Sequence, residues 1–143
     1  MIRAAIMLGF WAALMPFAAI LGFPWTFITG NVMFLYRISM WGAKTGVRLT
    51  GVKVETVGLD RIDPSRTYIF MSNHASNIDP PIMLPLIPNR TSVMARHELF
   101  EYPLLGKAMK LGSLVPVDRK NRESGIAAVR AASEVINKGI NMT

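Results

Sequence analysis

From Ala4 to Tyr36 the chain runs 33 residues without an Asp, Glu, Lys, Arg or His. A spanning helix needs about 20 apolar residues, so this stretch is long enough for one span or for two shorter helices. Pro16, Gly22-Phe23-Pro24 and Gly30 punctuate it. The pattern predicts two apolar helices, about Ala4–Leu21 and Pro24–Trp41, meeting at Gly22-Phe23-Pro24, with Pro24 in the first turn of the second. Either one helix spans a bilayer or the pair inserts as a hairpin from one face. A buried soluble hairpin is the bland alternative.

Beyond Trp41 the pattern changes. Val52–Val57 alternates with period two and predicts a half-buried strand. The run Thr67–Ser72 predicts a buried strand. Pro80 and Pro81 fit only the first turn of a helix, which puts Asp79 near its N-cap and ends the helix near Leu86. A strand is expected at Thr91–Ala95, a helix at about Leu104–Leu111 after Pro103, and a strand at Ser113–Val117, where Pro116 argues for an edge position. Glu123–Lys138 is the most amphipathic segment, with Ile126, Val129, Ala132, Val135 and Ile136 on one face and Gly139 as its stop. Ile140–Thr143 reads as the start of another strand. This alternation is that of an α/β layer fold with a mainly parallel sheet. Residues 1–45 form the membrane-associated helical region and residues 46–143 the α/β domain.

Charge sharpens the picture. The 143 residues carry a net charge of +7, and every Asp, Glu, Lys, Arg and His except Arg3 lies after Tyr36. A basic body behind an apolar leader suits an anionic membrane surface or phosphorylated ligands. The positive-inside bias places that body on the cytoplasmic face, the inner membrane if the cell is bacterial. The basic residues are dispersed and no recognition motif accompanies them, so nucleic acid is not an expected partner. Without cysteine there is no disulfide, thiolate metal site or Cys nucleophile.

The candidate chemistry is in Asn73-His74-Ala75-Ser76-Asn77-Ile78-Asp79, just past the strand Thr67–Ser72. Parallel α/β folds place their chemistry in loops at the carboxyl ends of strands. The loop can bring imidazole and carboxylate together, so that Asp79 accepts one ring N–H and the other ring nitrogen takes a proton from a substrate hydroxyl. The bland readings are a structural histidine and an N-cap aspartate. No Gly-x-Ser-x-Gly elbow supplies a serine nucleophile, and one His with one Asp is an incomplete metal ligand set.

These residues resemble motif I, NHxxxxD, of the glycerolipid acyltransferases, the group that includes 1-acylglycerol-3-phosphate acyltransferase. Ala95-Arg96-His97-Glu98-Leu99, with Pro103 and Gly106, is similar to the family's basic-Glu-Leu stretch and the Pro-x-x-Gly after it. Gly112-Ser113-Leu114-Val115-Pro116-Val117-Asp118-Arg119 resembles motif II, and the leader resembles the membrane helices of bacterial members. The resemblance implies a partial acyltransferase fold and acyl transfer from acyl-CoA or acyl carrier protein to the free hydroxyl of lysophosphatidate, a step of phospholipid biosynthesis, without a cofactor or metal. It implies His74 as general base, Asp79 as its orienter, Arg119 and Arg96 as phosphate-binding cations, and His97 and Lys110 as helpers. Another lysophospholipid or glycerol 3-phosphate is the alternative acceptor, and an inactive membrane-bound lipid-binding fragment is the alternative of a different class. Backbone N–H groups near the motif I loop are the oxyanion candidates. The family's third motif, Glu-Gly-Thr-Arg, does not occur, and the chain is expected to be C-terminally incomplete.

Overall fold

The structure is a computed structural model that describes residues 2–118 and 120–143, with Leu104 as backbone only. It falls into two compact units. One runs to Ile62 and resumes over His74–Ile87; the other comprises Asp63–Asn73 and Pro88–Thr143.

The first unit is built on two helices, α1 (Ile2–Thr29) and α2 (Met33–Leu49). The break expected at Gly22-Phe23-Pro24 is absent: α1 passes through both Pro16 and Pro24. A proline costs a helix one N–H bond and crowds the preceding turn, but here it does not stop the chain. Gly22 is instead a contact residue, since a Cβ there would come within 2.7 Å of Leu35 Cδ1. The turn lies at Gly30, whose φ of 68° is the left-handed conformation that ends helices cheaply only at glycine. Asn31 Oδ1 then accepts the N–H of Met33, the first residue of α2, at 2.9 Å.

The helices pack as a hairpin through small residues. A Cβ on Gly42 would strike Leu14, and one on Gly46 would strike the Trp11 indole. Trp11 Nε1 also donates to the Gly42 carbonyl at 3.0 Å. The helix α1 is apolar enough, at 28 residues, to cross a membrane by length and composition. Val52–Val57 is not a strand, and every residue in it is exposed. Alternation makes a strand only where a neighbour pairs with it and one face is covered. A short helix, α3 (Asp79–Met83), continues as a 3-10 turn over Leu84–Leu86, and both pack on α2.

The second unit is α/β. Its strands are β1 (Thr91–Ser92), β2 (Met94–Arg96), β3 (Val115–Val117) and β4 (Asn141–Met142). Between them come a 3-10 turn at His97–Glu101, α4 (Pro103–Leu111) and α5 (Arg122–Asn137). All pairings are parallel. The segment around Ile69 bridges to Met142 in β4, β4 pairs with β1, and β2 pairs with β3. The last few residues of the chain thus lie between Tyr68–Phe70 and β1. Asn141 is 1% exposed; its Oδ1 accepts the Tyr68 N–H at 2.8 Å and its Nδ2 donates to the Pro88 carbonyl at 2.7 Å.

The core joins Val115, Ala128, Ala132, Val135, Ile140 and Met142. Two expectations fail here. Ile69 and Met71 are exposed, so this segment is extended but not buried. On α5 the buried stripe is Ala128, Ala132 and Val135, while Ile126 and Val129 stay 48% and 61% exposed. Alanines let the helix approach Val115 closely, and that packing sets its rotation.

Candidate active site

The loop from Asn73 to Ile78 is folded around one carboxylate oxygen. Asp79 Oδ2 accepts the backbone N–H of Ser76 at 2.7 Å and of Ala75 at 2.8 Å, and it lies 3.0 Å from His74 Nδ1. The Asp79 N–H returns a bond to the Ser76 carbonyl at 3.1 Å, closing the turn. Pro80 and Pro81 follow, where their missing N–H groups cost the new helix nothing.

An ionised carboxylate can only accept, so the proton in the His74–Asp79 contact sits on Nδ1. In the neutral ring that leaves the lone pair on Nε2. The bonds from His74, Ser76 and Ala75 hold the Asp79 carboxyl below the usual aspartate range, with His74 the largest cause. The side chain of His74 is 58% exposed and that of Asp79 27%. An open imidazole backed by an ionised, half-covered carboxylate can accept a proton at Nε2 while the carboxylate stabilises the imidazolium.

The Ala75 and Ser76 N–H groups are committed to Asp79 and hold the loop around it. Their role as the frame of the loop was not read from sequence. The signal was there, in a Ser followed three residues later by Asp just before the helix.

Arg96 closes β2 in the second unit. Its side chain is exposed, with Nε 3.9 Å from Glu98 Oε2. It borders a cleft of about 380 Å³ shared with Glu98, Val117, Asp118 and Lys120. Arg119 lies outside the described residues. Asp118 donates its N–H to Ser124 Oγ at 3.0 Å and accepts the Lys120 N–H at 2.9 Å. Asn121 caps α5 through the N–H groups of Glu123 and Ser124. His97 stands between Glu98 and Glu101 at 3.5 and 3.9 Å, and Lys110 is in the last turn of α4. Among the described residues no three His, Asp or Glu side chains gather as a metal-ligating group.

Comparison with known proteins adds the family. The acyltransferase family model matches residues 53–142. The chain is similar to 1-acyl-sn-glycerol-3-phosphate acyltransferase alpha of Mus musculus, at 30% identity over 123 residues, covering 84% of this chain and 42% of the mouse protein. The enzyme of that name, without the alpha, from Limnanthes alba is 30% identical over 115 residues, 80% of this chain and 40% of the plant protein. The one from Borreliella burgdorferi is 26% identical over 103 residues, 72% and 38% respectively. The chain thus spans about two fifths of the length of these curated relatives. No solved structure gives a significant match. With the family match running from Lys53 to Met142, across both the His74–Asp79 loop and the parallel strands, this chain belongs to the acyltransferase family.

Proposed function

We propose that the chain carries the base portion of a membrane-bound enzyme that acylates the free hydroxyl of 1-acylglycerol 3-phosphate to give phosphatidate. The observation that carries this reading is the 3.0 Å contact between His74 Nδ1 and Asp79 Oδ2, which leaves Nε2 as the proton acceptor. The names of the relatives supply the acceptor.

In the reaction Nε2 takes the acceptor's hydroxyl proton as the oxygen attacks the carbonyl carbon of a thioester, from acyl-CoA or acyl carrier protein. The imidazolium is stabilised by Asp79. When the tetrahedral intermediate collapses, the C–S bond breaks and the thiolate leaves with the proton held on Nε2. The ring returns to neutral and no cofactor is consumed. Arg119 and Arg96 bind the acceptor's phosphate, a task for which a guanidinium is suited by its paired donors. Residues 1–45 form the membrane-associated region and residues 46–143 the acyltransferase domain, on the cytoplasmic face.

The test is acyl transfer to lysophosphatidate by this chain, alone and joined to the unmatched portion of the Borreliella burgdorferi relative. Turnover is expected in the parent and loss of turnover in His74→Ala and Asp79→Asn. Activity surviving in both variants would sink the mechanism.

A further inference from the structure

Strands β2 and β3 end together. Arg96, the last residue of β2, is the register partner of Val117, the last residue of β3. The chain leaves each strand at its carboxyl end, where parallel α/β folds collect their chemistry. The cleft of about 380 Å³ at that point is lined by Arg96 and Glu98 after β2 and by Val117, Asp118 and Lys120 after β3. Two cations and two carboxylates stand in that lining, so it holds no surplus of positive charge. A phosphate dianion needs such a surplus. The further cation of this loop is Arg119, which lies in sequence between Asp118 and Lys120. How the backbone is held on either side of it therefore decides what the cleft can bind.

It is held by a clasp that closes on α5. Asp118 donates its N–H to Ser124 Oγ at 3.0 Å. Its Oδ1 accepts the Lys120 N–H at 2.9 Å, and its carbonyl accepts the Asn121 N–H at 3.3 Å. Asn121 Oδ1 in turn accepts the N–H groups of Glu123 and Ser124, at 2.9 and 3.3 Å. In a capping box the third helical residue reaches back to the N–H of the N-cap itself. Here Ser124, the third residue of α5, reaches past the N-cap Asn121 to Asp118. One hydroxyl thus ties the end of β3 to the first turn of α5. That bond is partly buried, and shielding from water strengthens it. Because Asn121 takes the N–H groups of Glu123 and Ser124, an anion in the cleft meets the loop's side chains and not the helix terminus.

We propose that Ser124 is a positioning residue for the acceptor's phosphate: its hydroxyl holds the loop from Asp118 to Asn121 at the Arg96 cleft, and with it the cations that grip the phosphate, Lys120 among them. Val117 and Asp118 border this cleft and also a wider one of about 570 Å³, where Arg122 and Arg130 stand. The start of the loop is the wall between the two. Released from Ser124, the loop can carry Lys120 away from Arg96, and the phosphate loses a partner although no cation has been removed. The proposal rests on the reading of the acceptor as a phosphate-bearing lipid and adds the group that keeps its site assembled.

The test compares Ser124→Ala with Ser124→Thr. Alanine removes the hydroxyl and keeps the backbone N–H that Asn121 caps, whereas threonine keeps both. The parent and both variants, isotope-labelled in detergent micelles, would be titrated with inorganic phosphate at constant ionic strength, with the amides of Asp118 and Lys120 as reporters. Ser124→Ala is expected to weaken phosphate binding about fivefold, the worth of one hydrogen bond, and Ser124→Thr to bind as the parent does. Unchanged binding in Ser124→Ala overturns the proposal. So does a loss that threonine does not restore, or a parent whose amides ignore phosphate. Acyl transfer by the chain joined to the unmatched portion of the Borreliella burgdorferi relative gives a second arm. Ser124→Ala should raise KM for lysophosphatidate about fivefold while kcat changes less than about twofold. An equal rise in KM for a phosphate-free monoacylglycerol assigns Ser124 to the scaffold and overturns its role toward phosphate. Phosphate binding that follows the hydroxyl, in chains that transfer no acyl group, supports the clasp and overturns the enzymatic reading instead.

Discussion

His74 and Asp79 are joined through one oxygen: Oδ2 stands 3.0 Å from the ring's Nδ1 and also holds the backbone N–H groups of Ala75 and Ser76. The carboxylate therefore orients the imidazole and shapes the loop that presents it. Asp79→Asn and His74→Ala consequently differ. Removing the imidazole leaves the loop's frame and eliminates the base, with an expected loss in kcat of at least about a hundredfold. In Asp79→Asn the side chain no longer enforces the Nδ1–H tautomer, and kcat falls comparably. Imidazole added to the assay should restore part of the rate to His74→Ala and none to Asp79→Asn.

The pH dependence of the loop follows from the sign of the Asp79 shift. Its folded pKa lies below its unfolded value, ordinarily about 3.9. The loop's stabilisation is thus fully present above that value and lost as pH falls through the folded pKa. Carboxyl-carbon NMR of labelled Asp should show Asp79 titrating below the ordinary range. Asp63, held down by the Ser65 hydroxyl and N–H, should do the same. In Ser65→Ala the Asp63 midpoint should rise while that of Asp79 stays put.

Two glycines should respond to alanine in opposite directions. A Cβ on Gly106 would run into the backbone carbonyl of Phe100, which cannot yield as a flexible side chain can. Gly106→Ala should cost about 1–3 kcal/mol, the range for overpacking. Gly125 lies inside α5 with open space around it, so Gly125→Ala should stabilise by about 0.5–1 kcal/mol. Urea unfolding midpoints measure both, and like signs would contradict the packing described.

Asn141 is the third stability test. It serves Tyr68 on one side and Pro88 on the other from a position beside the core. Asn141→Ala leaves a donor and an acceptor without their partner, at an expected cost of about 1–3 kcal/mol. Amide exchange should accelerate first at Tyr68 and Phe70.

Arg119 and Arg96 are tested by acceptor choice. If they bind phosphate, Arg119→Ala should raise KM for lysophosphatidate at least about tenfold and leave a phosphate-free monoacylglycerol little changed. Arg96→Ala should act in the same direction more weakly. Equal losses with both acceptors would assign these arginines to the scaffold.

Much of the second unit was legible in the chain. The strand within Ser113–Val117 and the helix expected at Glu123–Lys138 were readable because apolar runs, Gly112 and Gly139 mark them locally. The single strand expected at Thr91–Ala95, by contrast, divides into β1 and β2, which pair with different partners. The site was legible too, as a histidine past an extended segment and an aspartate before Pro80-Pro81. Val52–Val57 misled because alternation records what a strand would bury, not whether a neighbour exists to bury it. Ile126 and Val129 misled for a related reason. Periodicity defines an apolar face, and Ala128, Ala132 and Val135 set how that face turns onto Val115.

Sequence alone determined the apolar leader, the positive body, the order of α and β elements and the position of the His74–Asp79 pair. These depend on composition and on neighbours within a few residues. Tertiary structure decided three other things. The leader turns at Gly30, in the left-handed conformation, while Gly22 stays within α1 against Leu35. The final residues fall between Tyr68–Phe70 and β1. A single oxygen of Asp79 binds both the ring and the backbone of its loop. Each is a contact between groups whose distance is set by packing, and no local pattern of residues encodes it.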